Sequence, residues 1–417
     1  MGFHQQKIII LCTVDDNFGM SKNNTVPWDM CENNIFIQRR VKNNVVVMGR
    51  NMWFNSTNKF PHSSTYVLSE NSKTEGIMSG GLAELKTLMN KYPDKDIYIL
   101  GGVELFELYM YSADEIILTQ LKVDYNCDVF FPFINENYEI TTYNCDIFSQ
   151  EENCFYQRIF YKQSGLMHQE YQFLDLCKDL IENGDISNDS KEKSIYIKTL
   201  IFDTKCHFPL LTTIKTDYKK IISDISSTLN GNGEIGFNWR FFGAKFSPQF
   251  EEETLFDRKE VLGGLDQLKN LDSLLMKNPL DKNLILSCCN PLEPGLVEDL
   301  CQFFIVDGHM SLIVTIPKIN ALKINDAIAF YSIILYIFST RAGNSADKLF
   351  INLGKISVKR NNCDKLTKIS KLTPRPFPVL VMDKVVKYKR LEDVNNFDFT
   401  VVGNAPVPVK FKRCLYF

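Results

Sequence analysis

Short apolar runs alternate with amphipathic stretches over roughly the first third of the chain. Runs rich in β-branched and aromatic residues predict strands at Ile8–Val14, Val45–Met48, Thr65–Leu68, Ile97–Leu100, Ile116–Leu121 and Phe155–Tyr161. Apolar residues at helical spacing predict helices at Gly81–Asn90 and Val103–Tyr111. Strands that alternate with helices in this way indicate an α/β domain.

A different pattern follows in the remainder of the chain. A helix is predicted from His168, because apolar residues recur on one stripe and Gly184 stops the pattern. The apolar run Ala327–Phe338 is shorter than the ~20 residues that a membrane span needs. We therefore interpret it as a buried helix and expect no membrane span. Strands are also predicted at 283–286 and 302–306, on either side of a loop that contains Asn290-Pro291.

Composition narrows the class of protein. Hydrophobic residues make up 45% and charged residues 23% of the 417 residues, as in soluble globular proteins. A formal charge of −3 gives no reason to expect a nucleic-acid partner. The 12 cysteines form no CxxC pair and the five histidines no cluster, so we expect reduced thiols and no metal site. Without a recognisable N-terminal targeting signal, the expected location is the cytoplasm.

Ordered motifs in the first part resemble those of dihydrofolate reductase. They are Pro27-Trp28, Met48-Gly49-Arg50, Val67-Leu68-Ser69, Gly101-Gly102 and CDVFFP at 127–132. The resemblance implies a mixed central sheet with flanking helices. It also implies a site that can bind NADP(H), formed by Trp28, Gly49, Arg50, Ser69, Gly101, Gly102 and Thr119. In such a site backbone amides and a guanidinium hold the cofactor phosphates.

The proton-handling position of that family differs here. The reductase carries a buried carboxylate five or six residues after the tryptophan, which corresponds to Asn33 or Asn34. An amide cannot relay a proton, and such acid–base help is worth ~10²–10⁴-fold. Ser63 stands where the family has a folate-binding arginine. The resemblance therefore predicts neither folate binding nor reductase activity.

Motifs in the second part resemble thymidylate synthase, and they run almost to the end of the chain. They are FPLLTT at 208–213, NWRFFGAKF at 238–246, GGLDQL at 263–268, PRPFP at 374–378 and FDFTVVGNAPVP at 397–408. This implies a dihydrofolate reductase-like α/β domain at 1–163, followed by an α+β thymidylate synthase-like domain at 164–417. The order of the two parts resembles the fused bifunctional enzyme.

Several polar residues of the second family are replaced. Counting back from Gln302-Phe303, Val297 occupies the position of the catalytic cysteine and Glu298 that of the following histidine. Valine has no nucleophilic atom. Asp224 falls near the family's catalytic glutamate, although a solvated helix carboxylate is the simpler interpretation. Ala327 corresponds to the asparagine that reads the base.

Three functions are compatible with these observations. The favoured hypothesis is a pseudoenzyme, a structural or regulatory subunit that binds a protein partner through the thymidylate synthase-like domain, as a homodimer or in a hetero-assembly. One alternative is an active bifunctional enzyme that makes dTMP and regenerates tetrahydrofolate. The other is a non-catalytic NADP(H)-binding sensor.

Overall fold

The chain divides into two compact units: the first comprises Met1–Met167 together with a short stretch that begins at Val402, and the second comprises mainly His168–Val401. The structure, a computed structural model, describes residues 6–55, 60–68, 77–78, 82–186, 192–229, 267–278, 284–287 and 299–403. Each unit has its own sheet and its own buried apolar residues, and the two are described separately below.

The first unit is built on an eight-stranded mixed sheet. Its strands run in the order β5-β4-β3-β6-β1-β7-β10-β9, with β10 and β9 antiparallel to their neighbours and the others parallel. A separate short pair is formed by β2 and β8. The described strands are β1 Ile8–Val14, β2 Gly19–Ser21, β3 Val45–Gly49, β4 Ser64–Leu68, β5 Ile77–Met78, β6 Ile97–Ile99, β7 Glu115–Leu121, β8 Val129–Phe130, β9 Tyr138–Ser149 and β10 Cys154–Gln163.

Helices flank this sheet, as predicted for the α/β domain. They are α1 Cys31–Val41, α2 Arg50–Asn55, α3 Leu82–Lys91 and α4 Val103–Tyr109. The central strands are almost wholly apolar, since Val45–Met48 is buried along its length. Parallel strands covered on both faces need such continuous hydrophobic runs. The predicted mixed sheet with flanking helices is therefore confirmed.

The second unit combines a six-stranded sheet with helices, and the predicted α+β class is confirmed. The sheet order is β11-β12-β16-β15-β14-β13, and only the β15–β16 pair is parallel among the described strands. Its strands are β11 Asp185–Ile186, β12 Glu192–Asp203, β13 Ile285–Ser287, β14 Leu300–Val306, β15 His309–Asn320 and β16 Ser345–Lys359, and a further pair is β17 Val379–Met382 and β18 Phe399–Val402. The helices are α5 Tyr171–Asn183, α6 Tyr218–Leu229, α7 Gln267–Lys277, α8 Ile324–Arg341 and α9 Cys363–Ile369.

Helix α8 is the core of the second unit. Residues from Ala327 to Phe338 are buried with one exception, Tyr336, which packs partly against the core. The segment Ala321–Arg341 is long and apolar enough to cross a membrane, but 78% of its most apolar stretch is buried within the protein. A helix that is apolar all round is expected at the centre of a large core. The predicted buried helix is confirmed.

Candidate active sites

Helix α1 turns Asn33, rather than Asn34, toward the sheet. Asn33 is 4% exposed, whereas Asn34 is half-buried. The Asn33 Nδ2 donates to Thr13 Oγ1 of β1 at 2.7 Å, and its Oδ1 accepts from Thr119 Oγ1 of β7 at 2.8 Å. Since Thr13 and Thr119 are paired across the sheet, both hydroxyls reach one amide. The two predicted positions Asn33 and Thr119 are thus brought together.

A buried arginine extends this hydrogen-bonded chain. Arg158 of β10 lies opposite Thr119, and its Nε donates to Thr119 Oγ1 at 3.4 Å. The guanidinium carbon is 3.7 Å from the centroid of the Phe36 ring, a cation–π distance. Burial lowers the pKa of the Arg158 guanidinium. Sequence reasoning missed Arg158, because only the cross-strand register reveals its neighbour.

The direction of the hydrogen bonds determines which atom of the Asn33 amide accepts and which atom donates. Thr119 Oγ1 accepts from Arg158, so its own proton is given to Asn33 Oδ1. The amide nitrogen of Asn33 is then its hydrogen-bond donor, and one of its N–H groups is directed to Thr13. Asn33 cannot titrate, so this position can orient a bound heterocycle but cannot exchange a proton with it.

Glycines meet where β3 and β6 end. Gly49 N donates to Gly101 O at 3.1 Å, and a Cβ on Gly49 would lie 3.3 Å from that oxygen. A Cβ on Gly101 would lie 2.0 Å from Met52 Sδ, and Gly102 has a φ of +94°. A side chain at Gly49 would crowd the Gly101 carbonyl, and Gly102 has a backbone conformation that favours glycine. The carboxyl ends of parallel strands are where open α/β sheets bind ligands.

The other predicted cofactor residues are placed as follows. Arg50 follows Gly49 directly and is exposed, so its guanidinium is free to meet an anion beside the glycine edge. Trp28 is half-buried and packs edge-on against Tyr125, with centroids 5.4 Å apart. Ser69 lies outside the described residues. The exposed guanidinium beside close-packed backbone fits the diphosphate of NADP(H).

Ser63 does not offer a charge to a ligand carboxylate. It is half-buried just before β4, and its hydroxyl donates to the Phe60 carbonyl at 3.0 Å. The hydroxyl is thus engaged locally, in the turn that begins the strand.

Only part of the predicted site in the second unit can be described. Val297 and Glu298 lie outside the described residues. Asp224 lies on α6, half-buried, and burial raises the pKa of its carboxyl. Among the residues that the structure covers, no group of three or more His, Cys, Asp or Glu side chains is placed to hold a metal ion.

A buried carboxyl–phenol pair in the second unit was not predicted. Tyr331 of α8 donates to Asp299 Oδ2 at 2.6 Å, and Asp299, just before β14, is 1% exposed. Burial raises the pKa of Asp299 to about 6, against a lowering by the Tyr331 hydrogen bond. The neighbouring Cys301 is fully buried, and burial raises its thiol pKa well above the usual value. Cys301 is therefore unsuited to nucleophilic attack.

A second buried carboxylate anchors the FPLLTT motif. Glu170 is 0% exposed and precedes α5. It accepts hydrogen bonds from the backbone N–H and the hydroxyl of both Thr212 and Thr213 at 2.6–3.0 Å. Burial raises the pKa of Glu170, and these four donors oppose that rise. The arrangement ties the start of α5 to the threonine turn and has a structural role.

Two family models match separate parts of the chain. Residues 7–163 match the family model described as dihydrofolate reductase. Residues 233–412 match the family model described as thymidylate synthase.

Known relatives span nearly the whole chain. A Paramecium tetraurelia protein named bifunctional dihydrofolate reductase-thymidylate synthase is 25% identical over 463 residues, covering 96% of this chain and 97% of its own length. Proteins of the same name from Plasmodium berghei and Zea mays are 25% and 22% identical. They cover 92% and 96% of this chain, and 84% and 95% of their own lengths.

These findings correct two predictions from the sequence. The prediction of a pseudoenzyme is wrong, because relatives aligned along both domains carry the names of bifunctional enzymes. They favour the active-enzyme alternative over a structural or regulatory subunit. The prediction that folate does not bind also lacks support, since folates are substrates of both matched families. A reductase model matches the first part of the chain, a synthase model matches a later part, and relatives named for both enzymes align along nearly the whole length. The chain therefore belongs to the bifunctional dihydrofolate reductase–thymidylate synthase family.

Proposed function

We propose that the chain is an active bifunctional enzyme, which reduces dihydrofolate with NADPH in the first unit and converts dUMP to dTMP in the second. The observation that carries the proposal is the alignment with relatives of that name over 96% of this chain and 97% of the first relative's length. NADP(H) and folates are the ligands we assign to the enzyme.

In the reductase reaction, the residues of this chain bind and orient rather than transfer protons. NADPH, when bound, supplies the hydride. Arg50 and the backbone at Gly49 and Gly101 would hold its phosphates. Asn33, fixed by Thr119 and Thr13, orients the pterin. Because Asn33 cannot ionise, the proton must come from water, and we expect turnover ~10²–10⁴-fold below that of a carboxylate-bearing site.

The test is dihydrofolate-dependent oxidation of NADPH, followed by absorbance with the full-length protein. We expect slow turnover in the wild type and at least a tenfold increase in kcat for Asn33→Asp. Asn34→Asp is the matched control, because Asn34 is less buried and outside the Thr13–Thr119 pair, and it should leave kcat unchanged. NADPH binding without oxidation in any variant would favour the sensor alternative instead.

The synthase reaction requires a thiolate that adds to C6 of dUMP. Cys301 is excluded by its complete burial and raised thiol pKa, and Val297 has no nucleophilic atom. An active second unit therefore needs a different cysteine near this stretch, where the sequence also contains Cys288 and Cys289.

Mass spectrometry of the protein with fluoro-dUMP and methylene-tetrahydrofolate tests this half of the proposal. We expect a covalent adduct on a cysteine other than Cys301, retained in Cys301→Ser and mapped by peptide digestion. If no adduct forms under conditions that support reductase turnover, the synthase half of the proposal is wrong.

We further propose that the enzyme is a homodimer formed through the open face of the six-stranded sheet. On β14 the side chains alternate, with Cys301 and Phe303 turned into the core. The opposite face carries exposed apolar side chains on three strands: Ile201 at 42% on β12, Ile285 at 40% on β13, and Phe304 at 39% and Val306 at 67% on β14. An apolar surface of this kind is typical of a protein interface.

A further inference from the structure

The buried carboxyl of Asp299 has one unused oxygen. Tyr331 donates to Oδ2 at 2.6 Å, but Oδ1 has no hydrogen-bond partner among the described residues, although it is enclosed. The side chain is 1% exposed, so bulk solvent does not reach it. An enclosed acceptor without a donor destabilises the protein, and more so when it is charged.

A ligand that donates a hydrogen bond to Oδ1 would satisfy this group. Burial raises the pKa of Asp299 only to about 6, so the carboxyl is mostly ionised near neutral pH. Among the described residues, the titratable groups beside it are the Tyr331 hydroxyl and the Cys301 thiol, and neither carries a positive charge. A buried carboxylate with no cation beside it in this part of the structure marks a candidate functional site.

The position of Asp299 within the unit indicates which ligand would complete it. Tyr331 lies one helical turn after Ala327 on the same face of α8. By the resemblance to thymidylate synthase, Ala327 stands where an asparagine reads the base. Alanine has no polar atom, so α8 cannot make that contact at position 327. Asp299, the residue before β14, brings a hydrogen-bond acceptor to the same face of α8.

We propose that Asp299 Oδ1 reads the base of a pyrimidine nucleotide, by accepting a hydrogen bond from an N–H of the ring or of its exocyclic amino group. This inference rests on the proposed function of the second unit and names a specificity-determining residue for it. Uracil supplies such a donor at N3, and cytosine supplies one at its N4 amino group. The Tyr331 hydroxyl holds the carboxyl in place through Oδ2.

Nucleotide binding by full-length protein tests the proposal, with dUMP and dCMP as separate titrants in isothermal titration calorimetry. We expect at least one of the two to bind the wild type, and Asp299→Ala to weaken that binding tenfold or more. Asp299→Asn keeps the side-chain volume if the alanine variant fails to fold. In that variant Tyr331 still donates to the amide oxygen, which leaves N–H donors facing the base, so binding should weaken as much.

Asp347→Asn is the matched control, because that carboxylate is already paired with Lys205 at 3.0 Å. It should bind nucleotide like the wild type. Wild-type affinity in Asp299→Asn, or no binding of either nucleotide to the wild type, would overturn the inference. Binding that depends on Asp299 without formation of a fluoro-dUMP adduct would uphold it, while refuting the proposed synthase activity.

Discussion

Ile197 is held in an unfavourable backbone conformation. It lies within β12 at a φ of +53°, and the pairing with β16 passes from Tyr196 to Lys198 without it. A left-handed conformation costs an L-residue roughly 1–2 kcal/mol, and a β-branched residue adopts it rarely. Because the side chain is 86% exposed, core packing does not explain the choice of isoleucine.

We therefore expect Ile197→Gly to be more stable than Ile197→Ala by about 1 kcal/mol, because only glycine lacks the Cβ that causes the strain. Thermal unfolding of the two variants measures the difference. Ile201, which is exposed in a regular part of the same strand, is the control, and there alanine should be the more stable replacement. The same order at both positions would contradict the explanation.

The titration of Asp299 predicts a pH-dependent stability. Its pKa in the folded protein is about 6, above the usual 3.8, so folding disfavours the ionised form. This contribution destabilises the protein as pH rises through 6 and disappears as pH falls toward 4. Without nucleotide, Asp299→Asn should therefore raise the Tm more at pH 7.5 than at pH 5. An equal rise in Tm at the two pH values would contradict this explanation.

The sequence located part of the first candidate site and left the rest open. It placed the amide at Asn33 or Asn34 but could not choose, because the choice depends on which way α1 faces the sheet. It gave no sign of Arg158, which is distant in sequence and reaches Thr119 only through the β7–β10 register. Asp299 was missed for the same reason, since its partner Tyr331 lies on a helix formed later in the chain.

At the scale of elements, the hydrogen bonds from Thr212 and Thr213 to Glu170 predict that mutation of Glu170 strongly lowers stability. Glu170→Gln places an N–H₂ group among four donors and leaves buried groups unpaired. We expect a loss of about 2–4 kcal/mol in the free energy of unfolding. Glu182→Gln, on the exposed side of α5, is the control and should change stability by less than about 0.5 kcal/mol. Chemical denaturation followed by circular dichroism measures both.

Strands and helices with a strong hydrophobic pattern were predicted well, whereas those with many polar or exposed residues were not. The strand predicted at Ile8–Val14 is β1, and the helix predicted at Val103–Tyr111 is α4, two residues shorter. Strand β9 escaped prediction because it is an edge strand with polar residues facing outward, so its pattern resembles that of a loop. Helix α1 was missed because few of its residues are buried.

At the scale of the whole molecule, the proposed homodimer can be broken at one position. Phe304→Asp places a charge on the open face of the six-stranded sheet, where its partner copy would bury it. We expect the variant to elute as a monomer in size-exclusion chromatography with light scattering, while the wild type elutes as a dimer. Phe397→Asp is the control, since Phe397 is 96% exposed and lies outside that sheet. Dissociation of both variants, or of neither, would refute this interface.

The pairing of β12 with β16 has a consequence during translation. Glu192 pairs with Lys359, so β12 leaves the ribosome long before its partner exists. At 5–20 residues per second, the wait is on the order of ten seconds or more. The sheet of the first unit needs no residue beyond Gln163 and can form within that interval. A nascent chain therefore carries the formed sheet of the first unit and an unpaired β12 edge, and an unpaired edge is a template for aggregation. We therefore expect aggregation to be most frequent while the second unit is still incomplete.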